Sequence, residues 1–272
     1  MEDTSGKLSD SFSPSGIRGS IPNLFTLLNL FFGCLAIVFA VQNGIDIVFT
    51  REQEQFIKLS EQIYLSSIFI IISAIIDFLD GFVARLFKVT SEVGKQLDSL
   101  ADIVSFGVAP SLILYQFLRM SFIRDQQGIE TSIIWLLPAF IFACAGAYRL
   151  ARFNTDKSSH NGFKGVPIPA AGLFIASIPL IYWYNDSEIV YRLLSNKWFL
   201  YFITLLLSYL MVSNLHMMAF KFPDYTLRNN IPKIILLVIA IISAIFLQWL
   251  AVPVIFILYI LISLSTSKIK TP

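Results

Sequence analysis

Four aspartates and one arginine lie within one 26-residue stretch of the sequence, at spacings that could support chemistry. They form the patterns Asp77-x-x-Asp80-Gly81-x-x-Ala84-Arg85 and Gly94-x-x-x-Asp98-x-x-x-Asp102. The flanking sequence is mostly apolar enough to lie in a membrane, where a helical carboxylate costs about 2.5–3.5 kcal/mol. Four carboxylates therefore cost about 10 kcal/mol, which some partner must offset. Because the hard cations Mg²⁺, Mn²⁺ and Ca²⁺ prefer oxygen ligands, the pattern predicts a divalent metal site.

Helical spacing places these side chains on two stripes, because residues three or four positions apart share one face of a helix. The first stripe contains Asp77, Asp80, Gly81 and Ala84, and the second contains Gly94, Asp98, Asp102 and Ser105. A turn near residues 88–92 makes the two helices antiparallel neighbours. We therefore expect the stripes to face each other near the cytoplasmic ends of the helices. Four carboxylates in that position could bridge two cations, as in two-metal phosphoryl-transfer sites.

Two other interpretations of the acidic stripes remain open. Polar residues can simply hold a pair of membrane helices together, as small-x-x-x-small interfaces do. A transporter could also use the same acids to line a pathway, but it would need acids on several helices and a route to both membrane faces. The acids concentrate on two predicted helices near one face, and this favours an enzyme.

Composition predicts an all-α integral membrane protein. The chain has 272 residues, of which 56% are hydrophobic and 14% charged, and its mean hydropathy is +0.72. About eight apolar stretches have nearly the length of a membrane-spanning helix, at about 21–41, 63–87, 93–120, 131–153, 167–184, 198–216, 231–248 and 250–267. With both termini cytoplasmic, 14 of the 20 Lys and Arg residues fall on that side. We therefore predict about eight transmembrane helices and cytoplasmic termini.

The run from Asp77 to Asp102 resembles the signature of the CDP-alcohol phosphatidyltransferase family at every fixed position. Similarity also extends to Ile21–Thr26, Asp98–Pro110, Tyr148–Asn154 and Phe163–Pro169. It implies transfer of a phosphatidyl group from CDP-diacylglycerol to an alcohol, and the segments are most similar to members that use L-serine. Glycerol 3-phosphate or inositol phosphate remain alternative acceptors, although a dianionic phosphate should require a denser basic cluster.

The resemblance also implies roles for individual residues. Asp77, Asp80, Asp98 and Asp102 would hold two divalent cations, Mg²⁺ or Mn²⁺. Asp102 would in addition act as the general base. The CDP-lipid would contact Asn23, Thr26, Asp77, Gly81, Ala84, Arg85 and Ser91.

Candidate residues for the second substrate follow the fourth apolar stretch. Arg149 and Arg152 are three positions apart, so they share a helix face, and one of them could hold the carboxylate of serine. Asn154, Lys164 and Ser105 are further candidates. The two arginines could instead merely follow the positive-inside rule, and Ser105 could equally form a hydrogen bond between helices.

The sequence also predicts how the chain is divided into segments and where the protein is located. Residues 1–20 are expected to be a disordered or juxtamembrane segment, 21–185 the catalytic helices, and 186–272 additional membrane helices of the same domain. The resemblance implies a homodimer. We expect a prokaryotic plasma membrane location with the active site facing the cytoplasm, contact with the lipid bilayer, and no nucleic-acid partner.

Overall fold

The chain folds mainly into helices. The computed structural model describes residues 14–42, 45–49, 55–87, 92–124, 131–155, 163–217 and 227–269. In chain order the α-helices are α1 (Pro14–Gln42), α2 (Ile63–Phe87), α3 (Glu92–Ile103), α4 (Ala109–Arg124), α5 (Ile141–Thr155), α6 (Ile168–Tyr184), α7 (Glu188–Leu194), α8 (Lys197–Val212), α9 (Leu227–Leu247) and α10 (Ala251–Ile269). A π-helical segment, Val104–Val108, joins α3 to α4, and short 3-10 helices lie at Ile133–Trp135, Leu137–Phe140 and Gln248–Leu250.

Four short strands depart from the all-α prediction. Strands β1 (Ile45–Phe49) and β2 (Gln55–Leu59) form an antiparallel pair in the connection between α1 and α2, with Ile45 opposite Leu59. Strands β3 (Phe163–Lys164) and β4 (His216–Met217) pair in the same way. These pairs satisfy backbone groups in connections that cannot continue a helix.

The helices confirm an integral membrane protein. Five stretches have the length and apolar composition to cross a membrane: Asn23–Gln42, Ile63–Val83, Glu92–Arg124, Ile133–Thr155 and Ile234–Ser265. Helices α7 and α8, which meet at 70°, make a sixth if they form one span, and the apolar helix α6 is shorter. The stretch Ile234–Ser265 is counted once, although Gln248, with φ +48°, interrupts its α-helical backbone. The predictions of eight spans and of cytoplasmic termini therefore stay predictions.

The core lies where α4, α5 and α6 meet the π-helical segment and where α8 packs against the same three helices. Each of these five elements contributes one large, fully buried apolar side chain. These side chains are Phe106, Phe117, Phe142, Ile175 and Leu200. Such large apolar side chains pack densely and hold the helices at defined positions. This core supports the segment that follows Asp102.

Helix α1 contacts α2, α3, the π-helical segment and α4, and polar side chains join these elements. The hydroxyls of Ser73 and Ser105 both donate to the backbone carbonyl of Asn29, each at 3.1 Å. A Cβ atom on Gly33 would collide with the hydroxyl of Ser105, so glycine permits this close approach. Helix α1 is therefore held tightly against the two helices that carry the aspartates.

The π-helical segment begins two residues after Asp102. It contains the bond from the Ala109 N–H to the Val104 carbonyl, which spans five residues. In an α-helix, the Phe106 carbonyl would accept a hydrogen bond from the N–H of residue 110, but Pro110 has no N–H. A Cβ atom on Gly172 would lie 2.8 Å from this same carbonyl, so α6 approaches closely here. Pro110 thus explains the local change of helix type next to the acidic residues.

Candidate active site

Helices α2 and α3 bring three carboxylates together. One oxygen from each of Asp77, Asp98 and Asp102 lies within 4.8 Å of the others. Each helix presents its acids on one face because their spacing is three or four residues. The acidic stripes therefore face each other, and the oxygens are close enough to share a cation.

Asp80 lies beside this group but has different contacts. It is within electrostatic range of Asp77 and Asp98. One carboxylate oxygen accepts a hydrogen bond from the Thr26 hydroxyl, and the other is buried without a hydrogen-bond partner in the part of the chain that the structure describes. A buried charged oxygen without a partner is costly. The donor set thus fits a divalent cation, which such an oxygen could help to bind.

Asp102 is the most enclosed of the three clustered carboxylates, with 8% of its surface exposed. The side-chain amide of Asn29 donates to its Oδ1 at 3.5 Å, and Arg149 lies within electrostatic range. Asn29 was missed by our sequence analysis. It follows Thr26 by three residues on the same face of an apolar helix, and this polar pair was a signal that could have identified it.

The predicted CDP-lipid contacts are only partly described. Asn23 is half-buried one helical turn before Thr26, and Gly81 follows Asp80 on α2. A Cβ atom on Gly81 would meet no atom within 4 Å, so the protein's own packing does not require glycine there. The side chains of Ala84 and Arg85 lie outside the described part of the structure, as does the whole of Ser91.

Among the predicted serine-binding residues, Arg149 lies within electrostatic range of Asp102. Its exposed fraction is 8%, its guanidinium lies 5.6 Å from the ring centre of Phe153, and its Nε has no hydrogen-bond partner among the described residues. A buried guanidinium without full pairing is expected to bind an anion. Arg149 is therefore suited to hold a carboxylate beside Asp102.

Two of the other candidates join helices. Arg152 donates to the Val212 carbonyl at 3.2 Å and to the Asn214 side chain, and so connects α5 to the end of α8. Asn154 donates to the Ser99 hydroxyl at 2.8 Å and so connects α5 to α3. These contacts hold α5 in place, which would position Arg149 indirectly.

The remaining candidates are Ser105 and Lys164. The Ser105 hydroxyl donates to α1, as described above, and this is the helix-to-helix role that the sequence left open. Lys164 is exposed on β3. Of the five candidates, Arg149 thus lies within electrostatic range of Asp102, whereas Ser105, Arg152 and Asn154 form hydrogen bonds to other parts of the fold.

The C-terminal helix α10 also reaches this region. Tyr259 is buried and lies within electrostatic range of Arg149. The sequence of the last helices indicates no role for them, because nothing in it shows which earlier residue they approach. Helix α10 also contacts α6 and β4, so it packs against the elements around α5.

The chain is similar to known proteins over most of its length. A sequence model of the CDP-alcohol phosphatidyltransferase family matches residues 19–210. A CDP-diacylglycerol–serine O-phosphatidyltransferase from Helicobacter pylori is 35% identical over 232 residues, covering 84% of this chain and 81% of that protein. The enzyme of the same name from Bacillus subtilis is 33% identical over 61% of this chain and 79% of its own length. The one from Methanocaldococcus jannaschii is 32% identical over 76% and 75%, respectively.

Proposed function

Because the chain belongs to the CDP-alcohol phosphatidyltransferase family, we propose that it transfers a phosphatidyl group from CDP-diacylglycerol to L-serine. The products are phosphatidylserine and CMP, so the protein is a transferase of phospholipid biosynthesis. The observation that carries this proposal is the convergence of Asp77, Asp98 and Asp102 in a chain whose relatives bear the name of that enzyme.

The four aspartates would hold two divalent cations, Mg²⁺ or Mn²⁺. Asp77, Asp98 and Asp102 supply the clustered oxygens, and the partnerless oxygen of Asp80 is available as a further ligand. When bound, the cations neutralise the pyrophosphate and stabilise CMP as the leaving group. Thr26 fixes the orientation of the Asp80 carboxylate through its hydrogen bond.

Asp102 accepts the proton of the serine hydroxyl. The transfer of this proton is completed late, after the hydroxyl oxygen begins to bond to the lipid-side phosphorus. The bond from that phosphorus to the CMP oxygen breaks as the new bond forms, so the reaction is a direct in-line displacement. Arg149 holds the serine carboxylate next to Asp102, which orients the hydroxyl toward the phosphorus. The proximity of Arg149 to Asp102 and its unpaired Nε support this assignment.

The CDP-lipid lies against α1 and α2. It contacts the residues predicted for this substrate, which are Asn23, Thr26, Asp77, Gly81, Ala84, Arg85 and Ser91. The open space at Gly81 supports this location, because a ligand can approach the backbone where no side chain intervenes. Arg85 binds a phosphate of the nucleotide.

The overall setting follows from the same proposal. The protein has about eight transmembrane helices, both termini and the active site are cytoplasmic, and the protein is a homodimer in a prokaryotic plasma membrane. The catalytic helices occupy residues 21–185, preceded by the segment 1–20 and followed by the helices of 186–272. The distribution of Lys and Arg supports the orientation.

Release of CMP from purified protein tests the function directly. We expect release that depends on both L-serine and a divalent cation, since the acceptor and the charge neutralisation are both required. Chelation should stop the reaction, and Mg²⁺ or Mn²⁺ should restore it. Labelled glycerol 3-phosphate, inositol phosphate and serine are supplied in parallel. Incorporation of a phosphate-bearing acceptor but not serine would contradict the assigned acceptor, and vesicle flux without CMP release would favour a transporter.

A substitution at Gly81 tests the location of the CDP-lipid. Gly81→Ala should leave thermal stability unchanged or higher, because alanine favours a helix by about 1 kcal/mol over glycine. It should raise the KM for CDP-diacylglycerol about tenfold, equivalent to about 1.4 kcal/mol of binding, because the methyl group enters the open space. Kinetics with varied CDP-lipid measure the effect.

Gly172→Ala is the matched control for the Gly81 substitution. Its Cβ atom would lie 2.8 Å from the Phe106 carbonyl, so it should lower stability through a backbone collision instead. An unchanged KM in Gly81→Ala would place the CDP-lipid elsewhere.

A further inference from the structure

Asn29 is a fully buried amide in the middle of an apolar helix. Its exposed fraction is 0%, and its side chain donates to Oδ1 of Asp102 at 3.5 Å. The reverse orientation of the amide would place two acceptor oxygens against each other, so the donor must face Asp102. Asn29 and Asp102 are 73 residues apart in the chain, and the contact therefore depends on how α1 packs against α3.

The hydrogen bonding of Asn29 is incomplete in a way that stability does not explain. Its own Oδ1 is buried without a partner among the described residues. A buried amide oxygen without a hydrogen bond destabilises a fold, whereas an apolar side chain of similar shape would not. The Asn29 side chain therefore costs stability where a leucine would not, and residues that do so are expected to serve function.

The backbone of Asn29 has a separate, structural role. Its carbonyl accepts hydrogen bonds from Ser73 on α2 and from Ser105 in the π-helical segment, both at 3.1 Å. These two bonds fix the position of the helix at this residue without using the side chain. The bonds to the backbone carbonyl leave the side-chain amide available to Asp102.

From these contacts we propose that Asn29 is a positioning residue for the reaction, acting through Asp102. Its amide holds one oxygen of the Asp102 carboxylate and so sets the direction of the other oxygen, which meets the serine hydroxyl. This inference rests on the proposed function of Asp102 as the proton acceptor. A base must lie within hydrogen-bond reach of the proton that it removes, so a freely rotating carboxylate would be less effective.

Replacement of Asn29 with leucine or alanine separates positioning from folding. Asn29→Leu should lower kcat about 10- to 100-fold, the loss expected for a hydrogen bond to a charged group. The KM for CDP-diacylglycerol and the Mn²⁺ concentration that half-saturates activity should change less than about twofold. Thermal stability should stay the same or rise, because the buried polar group is gone. Asn29→Ala should show the same loss of kcat, and it replaces the leucine variant if that variant does not fold.

Ser73→Ala is the matched control, because it removes a bond to the Asn29 backbone but leaves the amide in place. It should lower thermal stability and preserve kcat. Unchanged kcat in both Asn29 variants would overturn the inference, and so would an equal fall of kcat in Ser73→Ala or a raised KM with normal kcat. Wild-type protein in the same assay separates failure of the proposed function from failure of the inference about Asn29. If the wild-type protein releases no CMP with serine, the proposed function is wrong. If it releases CMP, the Asn29 variants test the inference.

Discussion

Asp102→Asn is expected to lower serine-dependent CMP release about thousandfold while CDP-diacylglycerol still binds. A positioned general base typically contributes 10²–10⁴-fold to a rate, and an asparagine amide accepts no proton from the serine hydroxyl. The substitution keeps the size of the side chain and one neutral oxygen that can still face a cation. The charge that it removes is already partly offset by the nearby Arg149, so the loss of cation affinity should be smaller than at Asp98. Turnover should therefore fall much more than binding. Steady-state CMP release and direct binding of CDP-diacylglycerol to purified protein measure the two effects.

The comparison of turnover with binding decides which role Asp102 has. If Asp102→Asn loses CDP-lipid binding together with turnover, the residue is a metal ligand and not the base. If CMP release stays within threefold of the wild-type rate, neither role is correct. Asn154→Ala is not a suitable control, because its bond to Ser99 supports the helix that carries Asp102. Glu61→Gln is suitable, since Glu61 is exposed and lies just before α2.

Asp98→Asn is expected to lower both cation affinity and turnover at least about 100-fold. Substitution of residues that merely surround metal ligands usually costs 10- to 100-fold in affinity, so loss of a direct ligand should cost at least as much. Asp98 shares the carboxylate cluster with Asp77 and Asp102, and removal of one negative charge there weakens attraction for a divalent ion. CDP-lipid binding should fall as well, because the pyrophosphate loses its counter-charge.

Binding of Mn²⁺ measures this effect independently of activity. It is detected as a decrease in the electron paramagnetic resonance signal of the free ion. The control is again Glu61→Gln, which removes a carboxylate that precedes α2, and the first residue of α2 is about 21 Å along the helix from Asp77. Normal Mn²⁺ binding in Asp98→Asn would show that the cluster does not hold the cation through Asp98. A large loss in Glu61→Gln would indicate that net charge, rather than ligation, governs the affinity.

The two substitutions divide the acidic cluster by role. Asp102→Asn should affect chemistry with binding largely retained, whereas Asp98→Asn should affect binding and chemistry together. The same pattern of loss at both positions would imply that all four aspartates act only as ligands, and the proton would then need another acceptor.

Local periodicity explains what could be predicted about the helices and the acids. A helix repeats every 3.6 residues, so the spacings within Asp77–Asp80 and Asp98–Asp102 already place each pair on one face. A short connection between two helices makes them neighbours, so the meeting of the two faces was also predictable. The family resemblance depends on the same residues. The number of membrane spans was harder to predict, because hydropathy alone does not show that α7 and α8 meet at 70°.

Residues whose partners lie far away in the chain were harder to assign. Arg149 and Arg152 look equivalent in sequence, yet Arg149 lies near Asp102 while Arg152 binds the end of α8. Tyr259 lies in a helix that showed no motif, and it is found near Arg149 only because α10 packs against the elements around α5. Asn29 carried a weak signal, but its partner could not be read from α1 alone.

The amino-acid sequence by itself determined that this is a helical membrane protein with two acidic helix faces, and it identified the family whose reaction those faces can support. The first follows from short-range spacing and from the cost of placing charge in an apolar medium. The second follows from the resemblance of the Asp77–Asp102 run to a known signature. Only the tertiary structure decided which side chains surround Asp102, which arginine is free to meet an acceptor, and which glycine leaves room for a ligand. Those properties depend on contacts between helices that lie 50 or more residues apart, which no local pattern encodes.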